Sequence, residues 1–228
     1  MTGHLAIQAS SSIGHESVTM KSILLGSSSP RRRELLSHLV AESRIQVVPP
    51  DDPDELGFEG LDHPSAIIQR VASIANHKLN QVASTQSHRT DWDMILTADT
   101  VVIAEGVNSR STVLGKPDGP NWQETVRTWF RDFYSGKPQV VVTVVCLLRP
   151  DGSQRQVIEQ TTLLFHPVTD RQIEWYLQTH EPLGKAGGYA LQGAGSLFVK
   201  SIQGSLSNVV GLPLEPLWDL FREWNVLS

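Results

Sequence analysis

The stretch Ile23–Leu39, ILLGSSSPRRRELLSHL, decides how the first part of the chain folds. It begins with three apolar residues suited to a buried strand. Gly26 and three serines interrupt that pattern. Ser29 is a good helix N-cap, and the proline after it loses nothing in the first helical turn, where its missing N–H would be unpaired anyway. Leucines then recur at helical spacing. The stretch therefore predicts a strand, a tight turn and a helix.

Three consecutive arginines, residues 31–33, occupy the first turn of this predicted helix. A helix N-terminus carries about half a positive charge, so cations there are unfavourable unless an anion lies among them. Free N–H groups at a helix start bind anions, and serine hydroxyls and guanidinium groups add donors that match phosphate. The alternative is a solvated basic turn, neutralised by Glu34 or other nearby acids. The turn lacks the G-x-x-x-x-G-K-[ST] pattern and is not a Walker loop.

The composition is that of an ordinary globular chain, with 228 residues, 39% hydrophobic, 19% charged and a net charge of −5. That charge makes a general nucleic-acid surface unexpected, so local cations would have to hold an anionic ligand. The single cysteine, Cys146, excludes an internal disulfide and lies in an apolar run, which predicts a buried core position. No apolar run reaches the length of a membrane span. We expect neither nucleic acid nor a membrane as a partner.

The first twenty residues are polar and serine-rich, without the features of a secretory signal or a mitochondrial presequence. We expect residues 1–20 to form a flexible tail and residues 21–228 to form one domain. A cytoplasmic location is the corresponding expectation, with a nuclear one as the alternative.

Met94–Ala104, MILTADTVVIA, predicts a buried strand with Asp99 in its middle. An ionised carboxylate in an apolar strand is costly unless it is paired, hydrogen-bonded or bound to a metal. Asp99 is therefore a candidate functional residue. A helix predicted over residues 64–83 places Lys78 near its end, where a cation suits the helix dipole. Lys78 thus has a sufficient structural explanation.

Loops supply the remaining candidates. The acidic segment 49–55, PPDDPDE, is either a solvated turn or a source of a metal-facing carboxylate. Lys116 lies between a glycine and a proline, which suits a fixed loop lysine. The glycine-dense segment 180–195 implies a close backbone approach. Within it, Gln192 is either a plain loop residue or a reader of a nucleobase, since an amide presents a donor and an acceptor together.

Further along, Leu197–Val199 and Val209-Val210 predict short strands.

Four segments of the chain point to one family. In order they read GSSSPRRRELL, LTADTVV, LGKP and EPLGKAGGYALQG followed by GSLSNVVGLPL. Together they resemble the Maf-like proteins, nucleoside triphosphate pyrophosphatases once described as septum-formation inhibitors. The resemblance implies an α/β fold, with a curved mixed β-sheet, flanking helices and two lobes around a nucleotide cleft, related to the inosine triphosphate pyrophosphatases. It also implies a homodimer, a divalent metal (Mg²⁺ or Mn²⁺), and release of a nucleoside monophosphate and pyrophosphate.

The resemblance also implies roles for particular residues. Asp99 would be the catalytic aspartate, serving as metal ligand, general base, or both. Glu55 would complete the metal site, with Asp54 as the alternative because the acidic loop departs from the family pattern. The substrate-binding positions would be Ser27, Ser29, Arg31, Arg32, Lys78, Thr100, Lys116 and Gln192.

Two further positions depart from the family pattern. Gly184 replaces the acid of E-P-x-D-K-A-G, which affects the partner of Lys185, and Gln139 replaces a histidine. The S-P-R-R, A-D-T and K-A-G-x-Y-x-x-Q-G segments resemble the dTTP/UTP-directed branch. Arg31, Thr100 and Gln192 therefore favour a pyrimidine with keto groups, canonical or modified. The alternatives are a 7-methyl-GTP or purine triphosphate pyrophosphatase of the same fold, and a non-catalytic nucleotide-binding regulator of cell division.

Overall fold

The computed structural model describes residues 21–51, 57–106 and 110–227. Within them the chain forms a seven-stranded mixed sheet in the order β2-β1-β3-β5-β6-β7, with β4 also paired to β3. Strands β1, β2 and β3 run parallel to one another, and the remaining pairs are antiparallel. The strands are β1 (Ser22–Gly26), β2 (Ile45–Val47), β3 (Trp92–Glu105), β4 (Ser111–Leu114), β5 (Pro138–Leu148), β6 (Gln154–Phe165) and β7 (Val199–Gln203).

Helices cover both faces of this sheet. They are α1 (Pro30–Ser37), α2 (Pro64–Thr85), α3 (Trp122–Trp129), α4 (Asp170–Gln178), α5 (Leu206–Val210) and α6 (Leu214–Glu223). Successive side chains of a strand point to opposite faces, so alternate residues of β3 enter different cores. Ile95 and Ile103 pack with α2 on one face, whereas Leu96 packs with α1 and α6 on the other.

The face opposite α2 carries two separate clusters. Leu96 and Ala98 belong to the cluster beneath α1 and α6, while Val102 and Ala104 belong to an aromatic cluster with α3 and α4. Thr100 lies between these two pairs on the same face of β3. The chain is therefore built as two lobes on one shared strand, and the predicted mixed sheet with flanking helices and two lobes is confirmed.

Several local predictions are confirmed. The Ser29 hydroxyl caps α1, with Pro30 in the first turn. Helix α2 covers the predicted 64–83 and extends two residues further. Cys146 is a free, buried core residue, and burial raises the pKa of its thiol.

The short strands predicted at Leu197–Val199 and Val209-Val210 are wrong in place or type. Residues up to Phe198 form a 3₁₀ turn, and β7 only begins at Val199. Val209 and Val210 end helix α5, because the Ser205 side chain accepts a hydrogen bond from the Asn208 N–H and starts a helix there. This capping contact outweighs the β preference of two adjacent valines.

Among the described residues, none of the helices combines the length and the hydropathy needed to cross a bilayer.

Candidate active site

The candidate site lies at a gap along one edge of β3. Strand β1 pairs with β3 as far as Thr97, and β4 pairs with the same edge only from Val102 onwards. Asp99 and Thr100 occupy the interval, while β5 continues unbroken behind them. Because neighbouring residues of a strand point to opposite faces, Asp99 faces α2 and Thr100 faces the space between the two lobes.

The turn between β1 and α1 brings its serines to this gap. Ser27 is 7% exposed, and its hydroxyl accepts hydrogen bonds from the Ser29 N–H (3.3 Å) and from Arg32 Nη1 (3.1 Å). The Ser29 hydroxyl accepts from the Arg32 N–H at 3.4 Å. Both hydroxyls keep a proton to donate, so the turn and the helix start together present several donors to an anion.

The three arginines have different surroundings. Arg32 crosses the gap, donating from Nε to the Gly211 carbonyl (3.0 Å) and from Nη2 to Thr100 Oγ1 (3.0 Å). Arg33 pairs with Glu42 on the surface, so the solvated-turn alternative describes this residue. Arg31 lines the cleft.

Lys78 and Asp99 form an ion pair with 2.7 Å between Lys78 Nζ and Asp99 Oδ1. Their side chains are only 14% and 8% exposed. The structural explanation of Lys78 as a helix-end cation is wrong, because α2 continues to Thr85 and the dipole acts within the last turn. The pair satisfies the requirement that a carboxylate in this strand be compensated.

A cleft of about 620 Å³ joins these groups to the glycine-rich loop. Every predicted site residue within the described chain borders it: Ser27, Ser29, Arg31, Arg32, Lys78, Asp99, Thr100, Lys116 and Gln192. Glu55 and Asp54 lie outside the described residues, although Pro49 and Pro50 at the start of their loop border the cleft.

Lys185 also borders the cleft, and the sequence did not place it in the site. Burial and the nearby Arg31 guanidinium lower the pKa of the Lys185 ammonium. Its Nζ donates to the Glu181 carbonyl oxygen. The signal available in the sequence was its position within the glycine-dense segment, two residues before a pair of adjacent glycines.

The two departures from the family pattern have different surroundings. Gly184 adopts a φ of +67°, which glycine tolerates best, and the space around its α-carbon is open. Gln139 is 1% exposed and lies on β5 opposite Ala104 and Leu163, and it is not among the residues that line the described cleft.

Charge in the cleft is opposite to that of the whole chain. Five cationic side chains border it, and Asp99 is the one carboxylate among the described lining residues: the cations are Arg31, Arg32, Lys78, Lys116 and Lys185. Since the protein as a whole carries −5, this is a local concentration of positive charge. Such a cleft suits a polyanion.

The described donor set fits a divalent metal that is held partly by substrate phosphates, and it does not form a metal site made of protein ligands alone. The described residues contain no group of three or more histidine, cysteine, aspartate or glutamate side chains able to hold an ion by themselves. Mg²⁺ commonly uses one or two carboxylates together with water and substrate phosphates. Asp99 beside a turn that presents several anion donors matches that arrangement.

Comparison with known sequences identifies the family. The family described as Maf-like protein matches residues 22–224. The chain belongs to this family. A relative from Carboxydothermus hydrogenoformans, named dTTP/UTP pyrophosphatase, is 35% identical over 203 residues, covering 89% of this chain and 98% of the relative. Another of the same name from Moorella thermoacetica is 38% identical over 208 residues, covering 91% and 97%.

Among solved structures, a HAM1 protein from Coxiella burnetii aligns over 90% of this chain and 100% of its own, with a TM-score of 0.45 and 14% identity. This likeness is too weak to bear on activity. The resemblance to Maf-like proteins predicted from the sequence is confirmed by the family match.

Proposed function

We propose that this protein hydrolyses nucleoside triphosphates to a nucleoside monophosphate and pyrophosphate, with dTTP and UTP or their modified analogues as substrates. The observation that carries the proposal is the cleft itself, which is bordered by five cationic side chains and by one buried carboxylate that pairs with one of them. A triphosphate needs this concentration of positive charge. A carboxylate among the phosphates is unfavourable for binding alone, and it is useful if it takes part in the reaction.

The proposed roles follow from position. The Ser27–Ser29 turn and the N-terminus of α1 would grip phosphate oxygens, and Arg32 is already oriented by Ser27, Thr100 and Gly211. Lys116 and Lys185, which also border the cleft, would stabilise the pyrophosphate leaving group. Asp99, aligned by Lys78, would hold a metal or accept the proton of the attacking water.

Mg²⁺ or Mn²⁺ would be held by Asp99 and the substrate's phosphate oxygens, with Glu55 or Asp54 as a further ligand. When bound, such an ion supplies charge neutralisation and water activation. The remaining neutralisation would come from the arginines and lysines of the chain.

The base would be read by Gln192, with Arg31 and Thr100 as further determinants of the preference for a pyrimidine with keto groups. All three border the cleft. The names of the relatives from Carboxydothermus and Moorella support the same substrate class.

The wider setting is also part of the proposal. We place the activity in residues 21–228, in a cytoplasmic homodimer acting without nucleic acid or membrane. The substrate class supports this location, and exposed apolar side chains such as Trp218 (48% exposed) support self-association. Light scattering and cell fractionation test these points.

The test is a nucleotide panel with purified protein and Mg²⁺, scoring monophosphate and pyrophosphate separately. Substrates are dTTP, UTP, 5-methyl-UTP, CTP, 7-methyl-GTP and ITP. We expect turnover of dTTP or UTP. Release only from 7-methyl-GTP or ITP would keep the chemistry and overturn the base assignment. Binding without any turnover would favour a nucleotide-binding regulator.

Asp99→Asn tests the catalytic carboxylate with little change in shape. We expect kcat to fall by a factor of about a hundred or more while nucleotide binding persists, because the positioned base and metal ligand is lost. Asp151→Asn, in the exposed β5–β6 turn, is the matched control and should retain wild-type kcat. Near-normal turnover in Asp99→Asn would contradict the assignment.

A further inference from the structure

Glu181 makes an unusual set of contacts beside the cleft. One carboxylate oxygen, Oε2, accepts a hydrogen bond from the Ala194 N–H at 2.7 Å, and the other, Oε1, accepts from the Gly195 N–H at 2.9 Å. The Tyr176 hydroxyl donates to the same Oε1 at 2.9 Å. The whole carboxylate is thus used to hold the backbone of a loop.

Tyr176 holds the other end of that loop. It belongs to α4 and is fully buried, and its hydroxyl also accepts from the Ala190 N–H at 3.3 Å. Two side chains from outside the loop therefore fix both ends of the segment 190–195. Gln192, exposed and bordering the cleft, lies in the middle of this segment. We call the pair of Tyr176 and Glu181 the loop clamp.

Glycines in the loop make the clamp geometrically possible. A Cβ built on Gly193 would lie 2.0 Å from Glu181 Oε2. A Cβ on Gly195 would lie 2.8 Å from the Ala190 carbonyl oxygen and 2.9 Å from the Tyr176 hydroxyl. All three distances are shorter than real Cβ contacts, so the carboxylate reaches these amides in this arrangement because both positions lack a side chain.

We infer that Glu181 is a positioning residue for substrate selection, acting through the loop clamp on Gln192. This rests on the proposed role of Gln192 in reading the base. Bonds from backbone N–H groups to an ionised carboxylate are stronger than neutral ones, so the loop has one preferred position. An amide held in that position presents its donor and acceptor in one arrangement. An amide on a loose loop turns to suit several bases, and the difference between substrates shrinks.

The experiment compares dTTP, which has a carbonyl at ring position 4 and a proton on N3, with 5-methyl-dCTP, which has an amine at position 4 and no proton on N3. The two substrates are otherwise identical. The readout is the ratio of their kcat/KM values. Glu181→Gln keeps the shape and replaces one acceptor oxygen with an NH₂ group, which cannot accept from a backbone N–H. We expect the ratio to fall by about tenfold, the loss of one hydrogen bond to a charged group. Tyr176→Phe removes the hydroxyl that contacts Glu181 and Ala190, and Gly193→Ala adds a methyl group against the Glu181 carboxylate. Both variants should also lower the ratio.

Glu174→Gln is the matched control, since it is also a glutamate-to-glutamine change. Glu174 lies on α4, pairs with Arg127 and is outside the cleft lining. It should keep the wild-type ratio. The double variant Glu181→Gln/Gln192→Ala should have the same ratio as Gln192→Ala alone, because the clamp acts only through Gln192. Amide hydrogen exchange at Ala194 and Gly195 should be faster in Glu181→Gln than in the wild type.

The outcomes separate the inference from the function on which it rests. An equal loss for both substrates in Glu181→Gln, or unchanged exchange at the two amides, would overturn the inference and leave the pyrophosphatase proposal intact. A further fall of the ratio in the double variant would also overturn it. Turnover with an unchanged ratio in Gln192→Ala would remove the base-reading role and the inference together. Absence of turnover in the wild type would overturn the proposed function itself.

Discussion

At the scale of single residues, the three adjacent arginines differ most in what surrounds them. Arg31 lines the cleft, the Arg32 side chain is hydrogen-bonded across the gap along β3, and Arg33 forms an ion pair on the surface. The three side chains point in different directions because consecutive residues of a helix are rotated by about 100° about its axis. The excess positive charge at a helix start predicts an anion site from the sequence alone. Which arginine lies in the cleft and which on the surface is decided by the fold.

Lys185 gives a prediction about pH. Its lowered pKa means that the ammonium loses its proton at a lower pH than an ordinary lysine does. If it binds phosphate, kcat/KM should fall as pH rises through that pKa. Lys185→Arg, whose charge persists to higher pH, should move the fall upward.

The measurement is the alkaline limb of kcat/KM for dTTP in both proteins, which reports groups of the free enzyme. Lys200→Arg, an exposed lysine on β7 outside the cleft lining, is the control. Coincident profiles for Lys185→Arg and wild type would remove Lys185 from phosphate binding.

At the scale of elements, the start of α1 has a structural role as a capped helix end and, under the proposed function, a role in binding phosphate. The Ser29 hydroxyl caps the helix, and the same helix start faces the cleft. Ser29→Ala should lower the free energy of unfolding by about 1 kcal/mol through loss of the cap. It should also raise KM severalfold, since a phosphate donor is lost.

Thr169→Ala separates these effects, because Thr169 caps α4 in a capping box and lies outside the cleft lining. Urea denaturation should give it a similar loss of stability, with KM unchanged. If both variants raise KM equally, the effect of Ser29 is one of stability alone.

The elements also indicate what the sequence could predict. The capped turn before α1, the buried strand around Asp99 and the α2 helix were predicted because each depends on local pattern and burial. The Lys78–Asp99 pair joins residues 21 positions apart, and the periodicity of neither segment contains that contact. Helix α5 was missed because one capping serine outweighed two valines. The clamp on the Gln192 loop depends on side chains from α4 and its following turn, which spacing along the chain does not reveal.

At the scale of the whole molecule, the negative net charge of the chain repels an anionic substrate, whereas the positive charge of the cleft attracts it. The chain carries −5 overall, and the cleft lining carries five cations against Asp99. At physiological salt, exposed charges beyond about 8 Å are largely screened, so the near charges should dominate. We expect KM for dTTP to rise as KCl is added at constant Mg²⁺.

If the overall charge dominated, screening of repulsion would lower KM instead. Lys116→Met should flatten the rise, and Lys200→Met should leave it unchanged. A KM that does not respond to salt in the wild type would contradict the polyanion assignment of the cleft.

The buried cysteine can serve as a chemical probe of opening of the central sheet. Cys146 is the only thiol in the chain, is 2% exposed, and pairs across β5 and β3 with Thr97, two residues from Asp99. A thiol-reactive dye can therefore modify the native protein only when β5 is uncovered. Labelling kinetics would report how often the strand beneath the candidate active site opens. A bound nucleotide should slow them, because ligand binding lowers the population of open states.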